Sequence, residues 1–338
     1  MATDVTDKPA VHFDEDKLRK ATPFELRATS MKGVFTTPAP AADFDPRIAS
    51  PSALVKAGLP WKRPEASDRP EVRAAWDKLL SRKWRPEDRI EPVFEVQKGK
   101  THILRARPKR RAEGTDITNA WAGAGFDTGS WTGVIGYWHV PTVSKPPEPQ
   151  GTEGGWNSSS WVGLDGYFFT NDVLQAGIQQ HVDSSGHATY VMWYEWFAPE
   201  TPTSPPYIWQ TNITNIPVKP GDEIYCSVQY INNKTAGSIY IANETIGKYC
   251  QLTLAPPPGA SFSGGSVEWI MEAPDGGEPR SSLPKFTPVT FTSALACGAN
   301  STLGNPQNAN TLAIENASGK VLTSTKVGND TATITFIG

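Results

Sequence analysis

Two short stretches of this 338-residue chain carry polar side chains where buried strands normally carry apolar ones. Residues 173 to 182 read Val-Leu-Gln-Ala-Gly-Ile-Gln-Gln-His-Val. Strand side chains alternate between faces, so Gln175, Gly177, Gln179 and His181 share one side, and Leu174, Ala176, Ile178 and Gln180 share the other. In Ser266-Val-Glu-Trp-Ile-Met-Glu272 the same period sets Glu268 and Glu272 on one face and Trp269 with Met271 opposite. A carboxylate is costly to bury unless it is paired or used. An ionised glutamate can take a proton from water, and a nearby amide can donate to a developing oxyanion, so the two stretches together are suited to hydrolysis.

Other chemistries find less support. The five histidines, His12, His102, His139, His181 and His187, include no pair at helical ligand spacing, and three cysteines exclude both a four-cysteine zinc site and a disulfide-dense scaffold. His139 sits within Tyr137-Trp-His-Val-Pro141, a strand end, and reads as structural. There is no Gly-X-Ser-X-Gly elbow, and Gly123-Ala-Gly125 lacks the strand-to-helix setting of a nucleotide loop. What remains is the polar strand face and the aromatics around it. Trp161-Val-Gly-Leu-Asp165-Gly precedes Gln175, and Tyr190-Val-Met-Trp-Tyr-Glu-Trp-Phe197 follows it, with Trp193, Glu195 and Phe197 on one side. Aromatics beside acids and amides on a concave sheet suit either a sugar or a peptide.

The elements that must position these residues fall into two parts. Residues 1–112 hold 24 Lys and Arg against 16 Asp and Glu, a net +8, whereas residues 113–338 hold 8 against 19, a net −11. The contrast reads either as an electrostatic partnership within the chain or as simple compositional drift. The first part is expected to be a loosely packed arm over residues 1–66. Short helical hints lie at Asp14 to Lys20 and Ser52 to Ala57. One clear helix near 69–83 follows, capped by Asp68, with Val72, Ala75, Trp76, Leu79 and Leu80 as its apolar stripe. Ile90 to Val96 and Thr101 to Ala106 alternate like a hairpin around Lys98-Gly-Lys100. Arg105 to Arg111, five basic residues in seven, is either a solvated linker or an exposed cleavage site.

From Gly114 onward, strand-like runs recur at 131–140, 158–165, 173–182, 189–197, 222–232, 237–243, 247–255, 266–272, 286–295, 311–315, 320–325 and 331–337. Turn residues separate them every eight to twelve positions, the pattern of an all-β, two-sheet antiparallel sandwich. The fold class expected is such a sandwich, of the concanavalin A-like or jelly-roll type, over 113–338, preceded by a mixed, partly helical segment over 1–112. Cys226 and Cys250 pair if their strands are neighbours; otherwise all three thiols are free.

The ordered motifs Asn119-Ala-Trp121-Ala-Gly123, Trp161-Val-Gly-Leu-Asp165-Gly, Leu174-Gln175-Ala-Gly177, Trp193-Tyr-Glu195-Trp and Val267-Glu268-Trp-Ile-Met-Glu272 resemble the glutamic peptidases, or eqolisins, over about residues 117–338. The resemblance implies two seven-stranded antiparallel sheets and an endopeptidase acting at acidic pH. It also implies a catalytic dyad on Gln175 and Glu268, a cleft lined by Trp121, Trp161 and Glu195, and support from Asp165. Gln179 stands where fungal members carry an aspartate, and Glu272 shares the face of Glu268. The implied partners are protein and peptide substrates, with no metal or cofactor, and a monomer working outside the cell. The N-terminus shows no apolar secretion signal and no run long enough to span a membrane. The basic residues 1–112 are expected to inhibit an acidic cleft from within the chain. Nucleic acid is not an expected partner. The alternative reading is a carbohydrate-binding or glycan-hydrolysing sandwich, with Glu268 and Glu195 as its paired acids.

Overall fold

A computed structural model of the chain describes residues 15–338 apart from 23, 58, 60–62, 82–84, 104–107, 111–113, 148–154, 168–171, 199–208, 232–234, 258–259, 261–262, 275–282 and 300–301. Up to residue 112 the described elements are α1 (Glu15–Ala21), β1 (Arg27–Ala28), β2 (Val34–Thr36), α2 (Pro51–Lys56), α3 (Pro70–Leu80), β3 (Phe94–Val96) and β4 (Lys109–Arg110). Then come β5 (Thr115–Thr118), β6 (Trp121–Phe126), β7 (Trp131–His139), β8 (Val143–Ser144), β9 (Trp156–Leu164), β10 (Val173–Val182) and β11 (Ala188–Phe197). They are followed by β12 (Thr211–Ile213), β13 (Glu223–Ile231), β14 (Ala236–Asn243), β15 (Lys248–Leu254) and β16 (Val267–Glu272). The chain ends with β17 (Lys285–Phe286), β18 (Val289–Gly298), β19 (Leu303–Gly304), β20 (Asn310–Ile314), β21 (Thr323–Val327) and β22 (Ala332–Phe336).

Two sheets of ten strands result. One runs β1-β2-β15-β14-β13-β7-β18-β22-β21, with β19 paired to β18; the other runs β3-β12-β11-β10-β9-β16-β6-β20-β5-β4. Among the described strand pairs only β20 with β5 is parallel, and an isolated parallel bridge joins Arg89 to Tyr249. The blocks β15 to β21 and β12 to β20 are the seven-stranded sheets that the resemblance implies. Much of the extension comes from the N-terminal segment, which adds β1 and β2 at one edge of the first sheet and β3 and β4 at the two ends of the second.

Alternation decides what lies between the sheets. Leu174, Ala176 and Ile178 of β10 and Trp269 and Met271 of β16 face inward and join Trp138, Val162, Trp196, Val228, Ile239 and Phe291 in one buried core. Burying each such large side chain contributes about 1.5–3 kcal/mol, so this layer dominates the stability of the sandwich. Gln175, Gln179 and His181 of β10 and Glu268 and Glu272 of β16 therefore face the opposite side of the second sheet, whereas Gln180 shares the inner side and bonds Ser158 and Ser160.

The described part of the arm over 1–66 is not loosely packed. Leu54, Leu59, Val72 and Trp76 lie against Ile135, Tyr137, Tyr225, Tyr240 and Tyr249 on the outer face of the first sheet. Leu18 and Leu26 meet Phe35, Ile231 and Ala236. The expected helix near 69–83 is α3, with Val72, Ala75 and Trp76 buried as its stripe requires. The Leu79 side chain and residues 82–84 lie outside the described set. The Asp68 carboxylate accepts the Glu65 N–H at 2.6 Å, closing the turn before the helix, and the Arg69 carbonyl receives the first helical N–H groups.

Residues 104–106 of the expected hairpin around Lys98-Gly-Lys100 lie outside the described residues, and among the described ones no pairing joins 90–96 to 101–103. β3 pairs instead with β12, matching Phe94 to Ile213 and Val96 to Thr211. The N–H of Gln97 donates to the Gln210 carbonyl, and the N–H of Gln210 donates to the Lys100 carbonyl. Alternation identified the strand, but partner choice lay in the other sheet's edge. Most of the basic run lies outside the described residues, and its Lys109 and Arg110 form β4 against β5. Cys226, Cys250 and Cys297 form no disulfide; β14 separates the first two, with Ile241 paired to each. No helix among the described residues is long and apolar enough to cross a membrane.

Candidate functional site

The order β11-β10-β9-β16-β6 lays polar side chains out in rows across one face of the second sheet. Gln175 pairs with Glu195 on one side and Gly163 on the other, and Gly163 pairs in turn with Glu268. Directly paired residues point to the same face, so Glu195, Gln175 and Glu268 stand in one row with Gly163 between the last two. Two interstrand steps put the Cα atoms of Gln175 and Glu268 about 10 Å apart, a span that two inward-leaning side chains bridge around a small molecule. A Cβ on Gly163 would lie 2.9 Å from the Trp161 ring and 3.1 Å from the Gln175 Cβ, so glycine keeps this gap open. Two residues further along β10, the next row joins Trp193, Gly177, Trp161 and Ile270. The row beyond that joins Gln179, Ser159, Glu272 and Trp121.

All of these acids are buried. Glu195, Glu268, Glu272 and Gln175 are each 0% exposed. Burial pushes the Glu268 carboxyl well above its ordinary range; the nearby Ser266 hydroxyl draws it back and Asp165 adds to the rise. Neither oxygen of Glu268 has a well-formed hydrogen bond, and Oε1 of Gln175, Oε1 of Glu195 and Oε1 of Glu272 are likewise without partners. Buried polar atoms normally find partners, so a cluster of such oxygens on one sheet face marks a place built for something polar. Burial also raises Glu195; the His102 N–H opposes that rise, Glu272 adds to it, and the Gln175 amide lowers it.

A strand-like strap from the N-terminal segment crosses this row. The Gln175 Nε2 donates to the His102 carbonyl at 2.7 Å and to Glu195 Oε2 at 2.8 Å, and the same Glu195 oxygen accepts the His102 N–H at 2.9 Å. Two acceptors on one atom fix the orientation of the Gln175 amide. The His102 ring stacks on Trp193 with centroids 3.7 Å apart and an interplanar angle of 9°. Its Nε2 meets Gln210 Oε1 at 2.8 Å and its Nδ1 meets Glu272 Oε2 at 2.8 Å. The Gln210 amide donates through Nε2 to Gln179 and Asn212, so its oxygen is an acceptor and His102 Nε2 carries a hydrogen. One proton therefore sits between His102 Nδ1 and Glu272, whichever of them holds it. Lys100 is half-buried beside this pocket; burial lowers its pKa to about 8, with Glu272 partly offsetting the fall.

The remaining expected residues take distinct places. Trp161 donates its indole N–H to Glu272 Oε2 at 2.7 Å and meets Trp121 edge-on at 4.8 Å. Asp165, at a φ of 67°, accepts from Ser263 Oγ, the N–H groups of Gly264 and Gly265, and the Tyr230 hydroxyl. It thereby anchors the loop that leads into β16, three to five residues ahead of Glu268. Gln179 bonds Gln210 and Asn157 and reaches the row through Gln210. Glu195 and Glu268, the paired acids of the glycan-hydrolysing alternative, lie three strands apart in the same row, about 14 Å between Cα atoms. His102, Gln210, Trp193 and Gly163 complete the site. Of these, only Trp193 was marked by its strand face. Among the described residues no group of three or more His, Cys, Asp or Glu is placed to hold a metal ion.

A sequence model of the peptidase A4 family matches residues 119–336. The chain belongs to that family. Aspergillopepsin-2 of Aspergillus niger is 30% identical over 235 residues, spanning 66% of this chain and 79% of that protein. Scytalido-glutamic peptidase, solved with a transition-state analogue inhibitor, superposes with a TM-score of 0.54 at 22% identity, over 65% of this chain and 98% of its own. SCP-B, a member of the eqolisin family, gives 0.51 at 20% identity over 65% and 98% of the two chains. This chain is thus a glutamic endopeptidase by family, and the matched region begins just before Trp121. The strap that crosses the row of Glu195 and Gln175 lies outside that region.

Proposed function

We propose that this peptidase hydrolyses peptide bonds with Glu268 and Gln175 as its dyad. Glu268, when ionised, takes a proton from a water that attacks the scissile carbonyl, and then passes that proton to the leaving amine. Gln175 donates through Nε2 to the carbonyl oxygen as charge develops on it. A single well-placed donor of this kind contributes about 3 kcal/mol to the transition state. The observation that carries the reading is the bond from Gln175 Nε2 to a peptide carbonyl, that of His102, in the same row as the unpartnered Glu268 carboxyl. Trp121, Trp161, Glu195 and Glu272 line the groove, and Asp165 and Gln179 hold their supports.

Residues 1–112 act on this reading as an internal inhibitor, with the strap taking the space of a substrate. In that closed state burial favours the proton-bound form of Glu268 and so slows it as a base. A groove open to water returns it toward the ordinary carboxylate range. The family points to work outside the cell at acidic pH. SCP-B was solved with the tripeptide Ala-Ile-His, and a peptide in the same kind of groove is the occupant expected here. The test is hydrolysis of a denatured protein by acid-incubated full chain, with Gln175→Ala and Glu268→Gln compared to wild type. Each variant is expected to lose at least a hundredfold in rate while keeping the wild-type circular dichroism spectrum. Unchanged rates in either would rule out the dyad.

A further inference from the structure

The strap does more than block the groove: it is seated on both sides of one peptide bond. His102 offers its N–H to Glu195, its carbonyl to Gln175 and its ring to a polar pocket of Trp193, Gln210 and Glu272. The next residue, Ile103, packs against the apolar cluster that holds Trp121, Trp161, Val173 and Ile270. Upstream, the carbonyl of Lys100 accepts the Gln210 N–H, which fixes the register of the approach. An inert plug needs only bulk. Here the carbonyl engaged by the amide of the proposed dyad belongs to a residue whose side chain is held on one side and whose successor is held on the other.

We propose that the His102–Ile103 bond is the one presented to the dyad, so that the chain cuts itself there and not within the basic run Arg105–Arg111. The inference rests on the peptidase reading above. Water oxygen adds to the His102 carbonyl carbon as Glu268 accepts the water's proton, the oxyanion forming against Gln175 Nε2. The bond from carbon to the Ile103 nitrogen then breaks, and Glu268 returns the proton to that nitrogen. One water is consumed, leaving a carboxyl group on His102 and an amine on Ile103. Burial makes Glu268 a stronger base whenever it is ionised but keeps the ionised fraction small, so the cut is slow. One event per chain is enough.

The experiment is intact-mass measurement of purified full-length chain over time between acidic and neutral pH, beside Glu268→Gln and with a denatured protein added in parallel. Expected first products are residues 1–102 and 103–338, formed at a rate independent of protein concentration and absent in the Glu268→Gln chain. A first cut within 105–111, or elsewhere, with His102–Ile103 intact overturns the inference. So does hydrolysis of the added protein while the strap stays whole, which leaves the peptidase reading standing. Failure to cleave either the chain or the added protein removes that reading and the inference with it.

Discussion

Gly163→Ala tests whether the open step between Gln175 and Glu268 matters for chemistry or only for packing. The added Cβ lies 2.9 Å from a Trp161 ring carbon and 3.1 Å from the Gln175 Cβ. Neither neighbour yields easily, since Trp161 is fully buried and tied to Glu272, and Gln175 is held by two hydrogen bonds. Overpacking of this size costs about 1–3 kcal/mol, and replacing a strand glycine by alanine returns about 0.5–1 kcal/mol. The net loss of stability is therefore about 0–2.5 kcal/mol. A displacement of a reacting group by about 1 Å costs on the order of 100-fold in rate. Urea unfolding gives the first quantity and peptide hydrolysis per folded molecule the second, both on acid-incubated chain. The expected result is a modest loss of stability with a drop in rate of about 10- to 100-fold. Stability that falls while the rate per folded molecule holds would falsify the role given to this gap.

His102→Ala removes the stacked ring from the groove, at about 3–5 kcal/mol of stability by analogy with buried aromatics, and should raise the initial rate at which freshly prepared full chain hydrolyses an added peptide. Equal initial rates per folded molecule would mean that the strap does not inhibit. Glu195 and Glu268 have folded-state pKa values raised by burial, so the folded chain holds their protons after the unfolded chain has released them. Their contribution is complete below about pH 4.3, the unfolded value, and is lost as pH rises through the raised values. The urea midpoint should accordingly fall from acidic toward neutral pH, and Glu268→Gln should flatten the fall; a midpoint that rises over that range contradicts the assignment. With β14 between them, Cys226 and Cys250 have Cα atoms about 10 Å apart, beyond disulfide reach. Thiol titration of the denatured, unreduced chain should find three free thiols, and a count of one would refute the sheet order.

How much of this was legible depends on the range of the interaction. β10 and β16 were readable because alternation is local: Leu174, Ala176 and Ile178 on one side, and Trp269 and Met271 on the other, announce which face is buried. That Gln175 and Glu268 share a row was not, since it depends on β9 lying between two strands far apart in the chain. β6 was missed because Trp-Ala-Gly-Ala-Gly-Phe looks unlike a strand. Gly123 is there because the Trp269 carbonyl lies against its backbone, at a φ of 149° that side chains rarely adopt. His102 carried no signal of its own, being an isolated histidine 73 positions before the glutamine it meets. The partner of β3 was missed for the same reason, since the alternation in Phe94–Val96 said strand but nothing nearby said that Thr211–Ile213 was its neighbour.

The N-terminal segment also finishes the fabric of both sheets, as a woven border keeps cloth from fraying. Val34 and Phe35 lie along Thr253 and Leu254, Phe94 to Val96 along β12, and Lys109 and Arg110 along β5. Stripping the segment away bares rows of amide and carbonyl groups at three margins, ready to template pairing with another molecule. A cut at residue 102 therefore leaves a fragment with reason to stay attached, and a fully trimmed domain is expected to clump as its concentration rises.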